Sequence, residues 1–142
     1  MTIGQIIARA RQDIVQCAPD TTVAEAARLL AERRIGALPV VEDGRVAGIF
    51  SERDLLYCIT REGAAVLDRP VGAVMTAPAI CIEPATSVLD ALSLMTQRRV
   101  RHLPVIEDGR MVGFVSIGDL VKYRIERAET EAQAMREYIR SA

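Results

Sequence analysis

Most of what this chain can fold into is decided by an internal duplication. Leu38–Leu55 reads LPVVEDGRVAGIFSERDL and Leu103–Leu120 reads LPVIEDGRMVGFVSIGDL, 65 positions apart. The offset holds upstream, where Pro19, Thr21, Val23, Ala26, Leu29, Arg33 and Arg34 fall on Pro84, Thr86, Val88, Ala91, Leu94, Arg98 and Arg99. A fixed internal period constrains the architecture before any residue-level argument. This period is too long for the usual solenoids and there are only two copies, so a paired, pseudo-symmetric single domain is expected. At 142 residues the chain suits one domain that buries roughly 70% of its unfolded surface.

Each copy follows one grammar. A short apolar run, Ile14–Cys17 or Ile80–Ile82, ends at a proline, Pro19 or Pro84. Thr22-x-x-Glu25 and Ser87-x-x-Asp90 then form capping-box patterns, in which hydroxyl and carboxylate satisfy each other's orphan N–H groups at a helix start. Val23, Ala26, Ala27 and Leu30, like Val88, Ala91, Leu92 and Met95, recur at helical spacing. Arginines close both helices, where cations suit the negative end of the dipole. Ala37–Val41 and His102–Ile106 read as strands, Asp43-Gly44 and Asp108-Gly109 as hairpin turns, and Val46–Phe50 and Met111–Val115 as return strands. Gly48 and Gly113 interrupt the return strands at matching places, the sign of a bulge or a close backbone approach. A second helix starts at Ser51 or Ser116. The order strand, helix, strand, strand, helix, twice over, predicts an α+β fold with sheet packed on sheet and helices outside. Repeat one covers about 10–60 and repeat two about 79–124, with a C-terminal helix over about 119–140. The connector, 61–78, lacks the composition of a flexible linker, and Val71–Met75 within it predicts one helical turn.

Composition narrows the function. Half the residues are hydrophobic and only 4% aromatic, so the core must be aliphatic. The net charge is -1, and no basic cluster suggests nucleic acid. No apolar run approaches the ~18 residues of a membrane span, and no signal-peptide pattern is present. Cys17, Cys58 and Cys81 form no CxxC, and with a single histidine no zinc site is expected. These thiols read as small buried hydrophobes in a reducing, cytoplasmic setting. His102 is the only histidine that could act as a base, and neither a nucleophile elbow nor metal spacing accompanies it. No catalytic site is expected.

RRIGALPVVEDGRVAGIFSERDL and RRVRHLPVIEDGRMVGFVSIGDL, each preceded by a short strand and an apolar helix, resemble a pair of cystathionine-β-synthase-type (CBS) domains. The resemblance covers about residues 10–124 and describes a stand-alone Bateman module. It implies clefts between the repeats that bind an adenosine-containing regulatory ligand: AMP foremost, or ATP, ADP, NAD(H) or S-adenosylmethionine. It also implies a regulated partner protein and a homodimer, with no catalysis in the module. The ligand motif of such domains appears twice, as Gly48-Ile-Phe-Ser51-Glu-Arg-Asp54 and Gly113-Phe-Val-Ser116-Ile-Gly-Asp119. A carboxylate at a helix start can accept hydrogen bonds from both ribose hydroxyls, and serine with nearby N–H groups suits phosphate. The same Ser-x-x-Asp is equally a capping box.

By the resemblance, Ser116 and Asp119 share a cleft with Thr21, Thr22 and Ile35-Gly36-Ala37. Ser51 and Asp54 share the other with Thr86, Ser87 and Val100-Arg101-His102. Gly36 and Ala37 are small enough to let adenine lie against backbone, although Gly36 also fits a helix C-cap. Arg53, Arg101 and His102 are phosphate candidates or solvated surface. Gly118 stands where copy one has Arg53, so the two clefts are chemically unequal. Val121, Ile125, Ala128, Ala132, Met135 and Ile139 form a heptad-like stripe, for a partner helix or for folding back on the module. A dimerisation or interaction unit without nucleotide is the rival function.

Overall fold

The computed structural model describes residues 1–10 and 13–141. Its elements run α1 (Ile3–Ala10), α2 (Val23–Arg33), β1 (Ala37–Glu42), β2 (Arg45–Ser51), α3 (Glu52–Glu62), α4 (Val88–Arg98), β3 (His102–Glu107), β4 (Arg110–Ser116) and α5 (Ile117–Ser141). The connector carries two 3-10 segments, Gly63–Asp68 and Val71–Ala73. The duplicated pattern therefore folds twice into the same helix–hairpin–helix unit. The predicted first strands are reduced to single parallel bridges, Cys17 to Val40 and Ile82 to Val105. Each segment has room for only a short contact before Pro19 or Pro84 turns it into the helix.

Local chemistry explains the elements. The Glu25 N–H donates to Thr22 Oγ1 at 3.1 Å and the Asp90 N–H to Ser87 Oγ at 3.0 Å, so both helices start where the caps predict. Both end in a left-handed arginine, Arg34 (φ 51°) and Arg99 (φ 54°). Gly36 is therefore not the helix cap; it lies at the entry to β1. Asp43-Gly44 and Asp108-Gly109 have positive φ at both positions, the turn geometry that matches strand twist. In both hairpins the register shifts by one residue, placing Ala47 and Val112 in bulges directly before Gly48 and Gly113 in pairing order. β2 and β4 bring the two units together.

Each repeat has its own hydrophobic cluster, one around Leu38, Val40 and Phe50, the other around Leu103, Val105 and Leu120, so the cores are aliphatic except for Phe50 and Tyr123. The units are nevertheless interlocked. The Ile3 and Gly4 N–H groups donate to Thr86 O (2.8 Å) and Pro84 O (2.9 Å), and Val88 N–H to Met1 O (3.2 Å). The connector repeats this on the other unit: Val71 to Thr21 O (2.7 Å), Gly72 to Pro19 O (2.9 Å) and Val23 to Arg69 O (2.9 Å). Thus the segment before each repeat is docked on the opposite one. Ile3 and Val71 are both fully buried by this exchange.

Gly48 makes room for that docking. A Cβ there would lie 2.7 Å from both Met75 Sδ and the Thr76 carbonyl oxygen. Gly48→Ala is expected to cost about 1–3 kcal/mol through overpacking. Gly113→Ala should cost less, because its Cβ meets the flexible tip of Ile7 rather than backbone. Chemical denaturation of both variants checks this order; equal, negligible losses would mean that the connector is not held on β2.

Cys17 and Cys58 are buried, but Cys81 is exposed, contrary to the buried reading of all three thiols. Burial pushes the Cys17 thiol up to about 11, which leaves it protonated and unreactive at neutral pH. α5 is a single helix whose first turns bury Leu120 and Tyr123, while every residue from Arg124 to Ser141 is exposed. It does not fold back on its own module. No helix among the described residues is long and apolar enough to cross a membrane.

Candidate ligand cleft

One cavity of about 400 Å³ is built by both repeats. Repeat one supplies Asp13-Ile14-Val15 and Arg34-Ile35-Gly36-Ala37; repeat two supplies His102, Phe114, Ser116 and Asp119. Its volume falls in the roughly 300–1,000 Å³ range of small-molecule sites. The floor follows from local structure. Ala37 starts β1 next to Gly36, whose carbonyl accepts from the Glu52 N–H at 3.0 Å. A Cβ on Gly36 would come within 3.3 Å of His102 Cε1, so the absent side chain lets the imidazole approach. The His102 and Phe114 rings stack at 5.5 Å and 17°. Together these groups make a flat, largely apolar slot.

Polar groups stand at its edges. The Ser116 N–H donates to Asp119 Oδ2 at 2.9 Å and the Asp119 N–H to Ser116 Oγ at 3.1 Å. The capping box is therefore real, yet it engages only one carboxylate oxygen. No hydrogen bond to Asp119 Oδ1 occurs among the described residues. Arg34 adds a guanidinium and Asp13 a second carboxylate. Burial, reinforced by the Arg101 charge, holds the His102 imidazole below its ordinary range, against the opposing pull of Asp119 and Glu52. The neutral imidazole is thereby favoured, and it lies stacked on Phe114.

The structure pairs these residues differently from the expectation. His102 lines the Ser116–Asp119 cleft instead of the Ser51–Asp54 one. Thr21 and Thr22 are absent from the cavity wall; Thr22 caps α2, and the Thr21 carbonyl and hydroxyl hold Val71 and Ala18. Ser87 caps α4, Val100 packs on the repeat-two core, and Arg53 and Arg101 are exposed and outside both cavities described here. Thr86, likewise, is turned to the docked N-terminus and accepts from Ile3. Asp13, Ile14, Val15, Arg34 and Phe114 join instead. Phe114 was visible inside the Gly-x-x-Ser motif, where copy one has Ile49. The Ile14–Val15 contribution depends on where the chain lies after α1, which no local pattern signals.

Around Asp54 the arrangement differs. Ser51 and Asp54 form a complete capping box, with Ser51 N–H to Asp54 Oδ2 at 2.9 Å, Asp54 N–H to Ser51 Oγ at 3.2 Å and Ser51 Oγ–H to Asp54 Oδ2 at 3.0 Å. Asp54 itself borders a cavity of about 420 Å³ between α3 and the connector, together with Tyr57, Cys58, Arg61, Arg69 and Thr76. No repeat-two residue of the expected cleft borders it. Arg69 is engaged there with Glu62 at 2.5 Å.

Two packed repeats sharing an apolar slot edged by a helix-capping carboxylate define a tandem two-repeat module with a cleft between its halves. The chain belongs to the CBS domain family, which it matches twice, over residues 3–61 and 71–126. It is 41% identical over 128 residues to the mitochondrial CBS domain-containing protein CBSX3 of Arabidopsis thaliana, an alignment covering 87% of this chain and 62% of that protein. Its fold is similar to the CBS-domain containing protein ATU1752 of Agrobacterium tumefaciens, with a TM-score of 0.82 and 38% identity over 87% of this chain and 99% of that one. It is also similar to CBSX2 in complex with AMP, with a TM-score of 0.77 and 28% identity over 89% of this chain and 98% of that one.

Proposed function

We propose that this chain is a non-catalytic sensor that binds AMP in the Ser116–Asp119 cleft and passes its occupancy to a partner protein. The observation that carries this reading is the cleft itself: Gly36 and Ala37 beside the His102–Phe114 stack suit a purine, and the partly engaged Asp119 carboxylate suits a ribose diol. Arg34 at the rim suits phosphate. The AMP complex of CBSX2 supports an adenosine ligand, with ATP, ADP, NAD(H) and S-adenosylmethionine as the other members of the test panel. The three free cysteines support a reducing compartment, the cytoplasm. The exposed Val121, Ile125, Met135 and Ile139 of α5 support a homodimer, and that same stripe is what favours a purely interacting module as the second reading.

Thermal shift with the ligand panel separates the two. Binding confined to the native state stabilises it by about 2.7 kcal/mol at a hundredfold excess over Kd, so millimolar AMP is expected to raise Tm measurably. No shift with any adenosine ligand, alongside two chains per particle by light scattering, would favour the interaction reading; a single chain per particle would remove the dimer.

A further inference from the structure

The Asp54 motif is not a second copy of the Asp119 site. The Thr76 hydroxyl donates to Asp54 Oδ1 at 2.9 Å, across 22 residues of sequence. With Oδ2 already held by the Ser51 N–H and hydroxyl, each carboxylate oxygen carries a donor from the protein, whereas Asp119 Oδ1 carries none among the described residues. Thr76 is held there firmly: its N–H donates to Ile49 O and its carbonyl accepts from Ile49 N–H, both at 2.9 Å. Met75 and the Thr76 carbonyl occupy the space that a Cβ on Gly48 would fill. In the 65-residue register the counterpart of Gly36 is Arg101, so repeat two has no glycine to form a small floor there. We infer that Thr76 is a built-in occupant of the repeat-one carboxylate, and that the module binds one adenosine ligand per chain, at Asp119 alone.

The chemistry of the latch is that of the ligand it excludes. A hydroxyl donating to a carboxylate is what a ribose would offer, and Thr76 offers it from within the chain, so a free nucleotide must compete with a tethered group. A hydrogen bond to a charged group is equivalent to roughly tenfold to hundredfold in affinity, so removing the hydroxyl should uncover a second, weaker event. This inference rests on the Proposed function for the identity of the ligand, but the latch itself rests on Thr76 and Asp54.

Isothermal titration with AMP tests it on wild type, Thr76→Val, Asp119→Asn and the double variant. Thr76 is exposed, so the fold should survive; Thr76→Ser, which keeps the hydroxyl, should behave as wild type, and Thr76→Ala is the alternative if valine disturbs β2. Wild type is expected to bind one AMP per chain, Thr76→Val to gain a second site, and the double variant to keep that new site while the first is weakened roughly tenfold to hundredfold, as in Asp119→Asn alone. Two sites in wild type, or one site in both wild type and Thr76→Val, would overturn the latch. No binding in wild type but one site in Thr76→Val would uphold the latch and overturn the Asp119 assignment. No binding in either would overturn both.

Discussion

Phe50→Ala is expected to destabilise the chain by about 3–5 kcal/mol, as phenylalanine-to-alanine changes in packed cores do. Phe50 is fully buried among Leu38, Val40, Val23 and Leu30, and in a chain with only two phenylalanines no other aromatic fills that cluster. Against a typical total stability of roughly 5–15 kcal/mol, this is a loss near the limit of folding. Val115, at the same place in repeat two and equally buried, gives the comparison. Val115→Ala removes two methyl groups, at about 0.8 kcal/mol each before any cavity cost. The exchange of docking segments adds a second expectation: because Ile3 sits on repeat two and Val71 on repeat one, either variant should unfold in one transition. Urea denaturation followed by circular dichroism checks both. Two separable transitions would show that each repeat folds on its own core and that the interlock is weak.

That interlock is also where sequence reasoning stopped short. The hairpins were legible because Asp-Gly dictates a turn with two positive φ values, which Asp43-Gly44 and Asp108-Gly109 adopt. The helix starts were legible because a hydroxyl three residues before an acidic residue is a local signal. α1 was not: Ile3, Ile6 and Ile7 lie outside the 65-residue register, since Ile3 plays the part of Val71, 68 positions on. Nothing local announces a hydrogen bond from Ile3 to Thr86. The same limit explains the cleft. Thr22 and Ser87 carry the same Ser/Thr-x-x-acid pattern as Ser51 and Ser116, and only distant chain placement separates a cap from the edge of a cavity. Gly36 was recognised as small but not why; the reason is His102, which arrives from the other repeat.

Asp119→Asn should weaken AMP binding by roughly tenfold to hundredfold, the worth of a hydrogen bond to a charged acceptor, while leaving the fold nearly intact. The cap survives because an asparagine oxygen can still accept from the Ser116 N–H that now bonds Asp119 Oδ2 at 2.9 Å; the expected stability change is under about 1 kcal/mol. Asp54→Asn is the internal control: it shares the capping geometry, but its outer oxygen is already held by Thr76, so AMP affinity should stay at the wild-type value. A change on the ligand sharpens the assignment. If Asp119 reads the ribose, 2′-deoxy-AMP should bind wild type more weakly than AMP, and that preference should shrink in Asp119→Asn, the non-additivity expected of groups in direct contact. Titration of both nucleotides into wild type, Asp119→Asn and Asp54→Asn gives all the terms. If Asp119→Asn melts normally, binds AMP as tightly as wild type and keeps the full preference for the ribose, then Ser116-x-x-Asp119 is a helix cap alone and the ligand, if there is one, is held elsewhere.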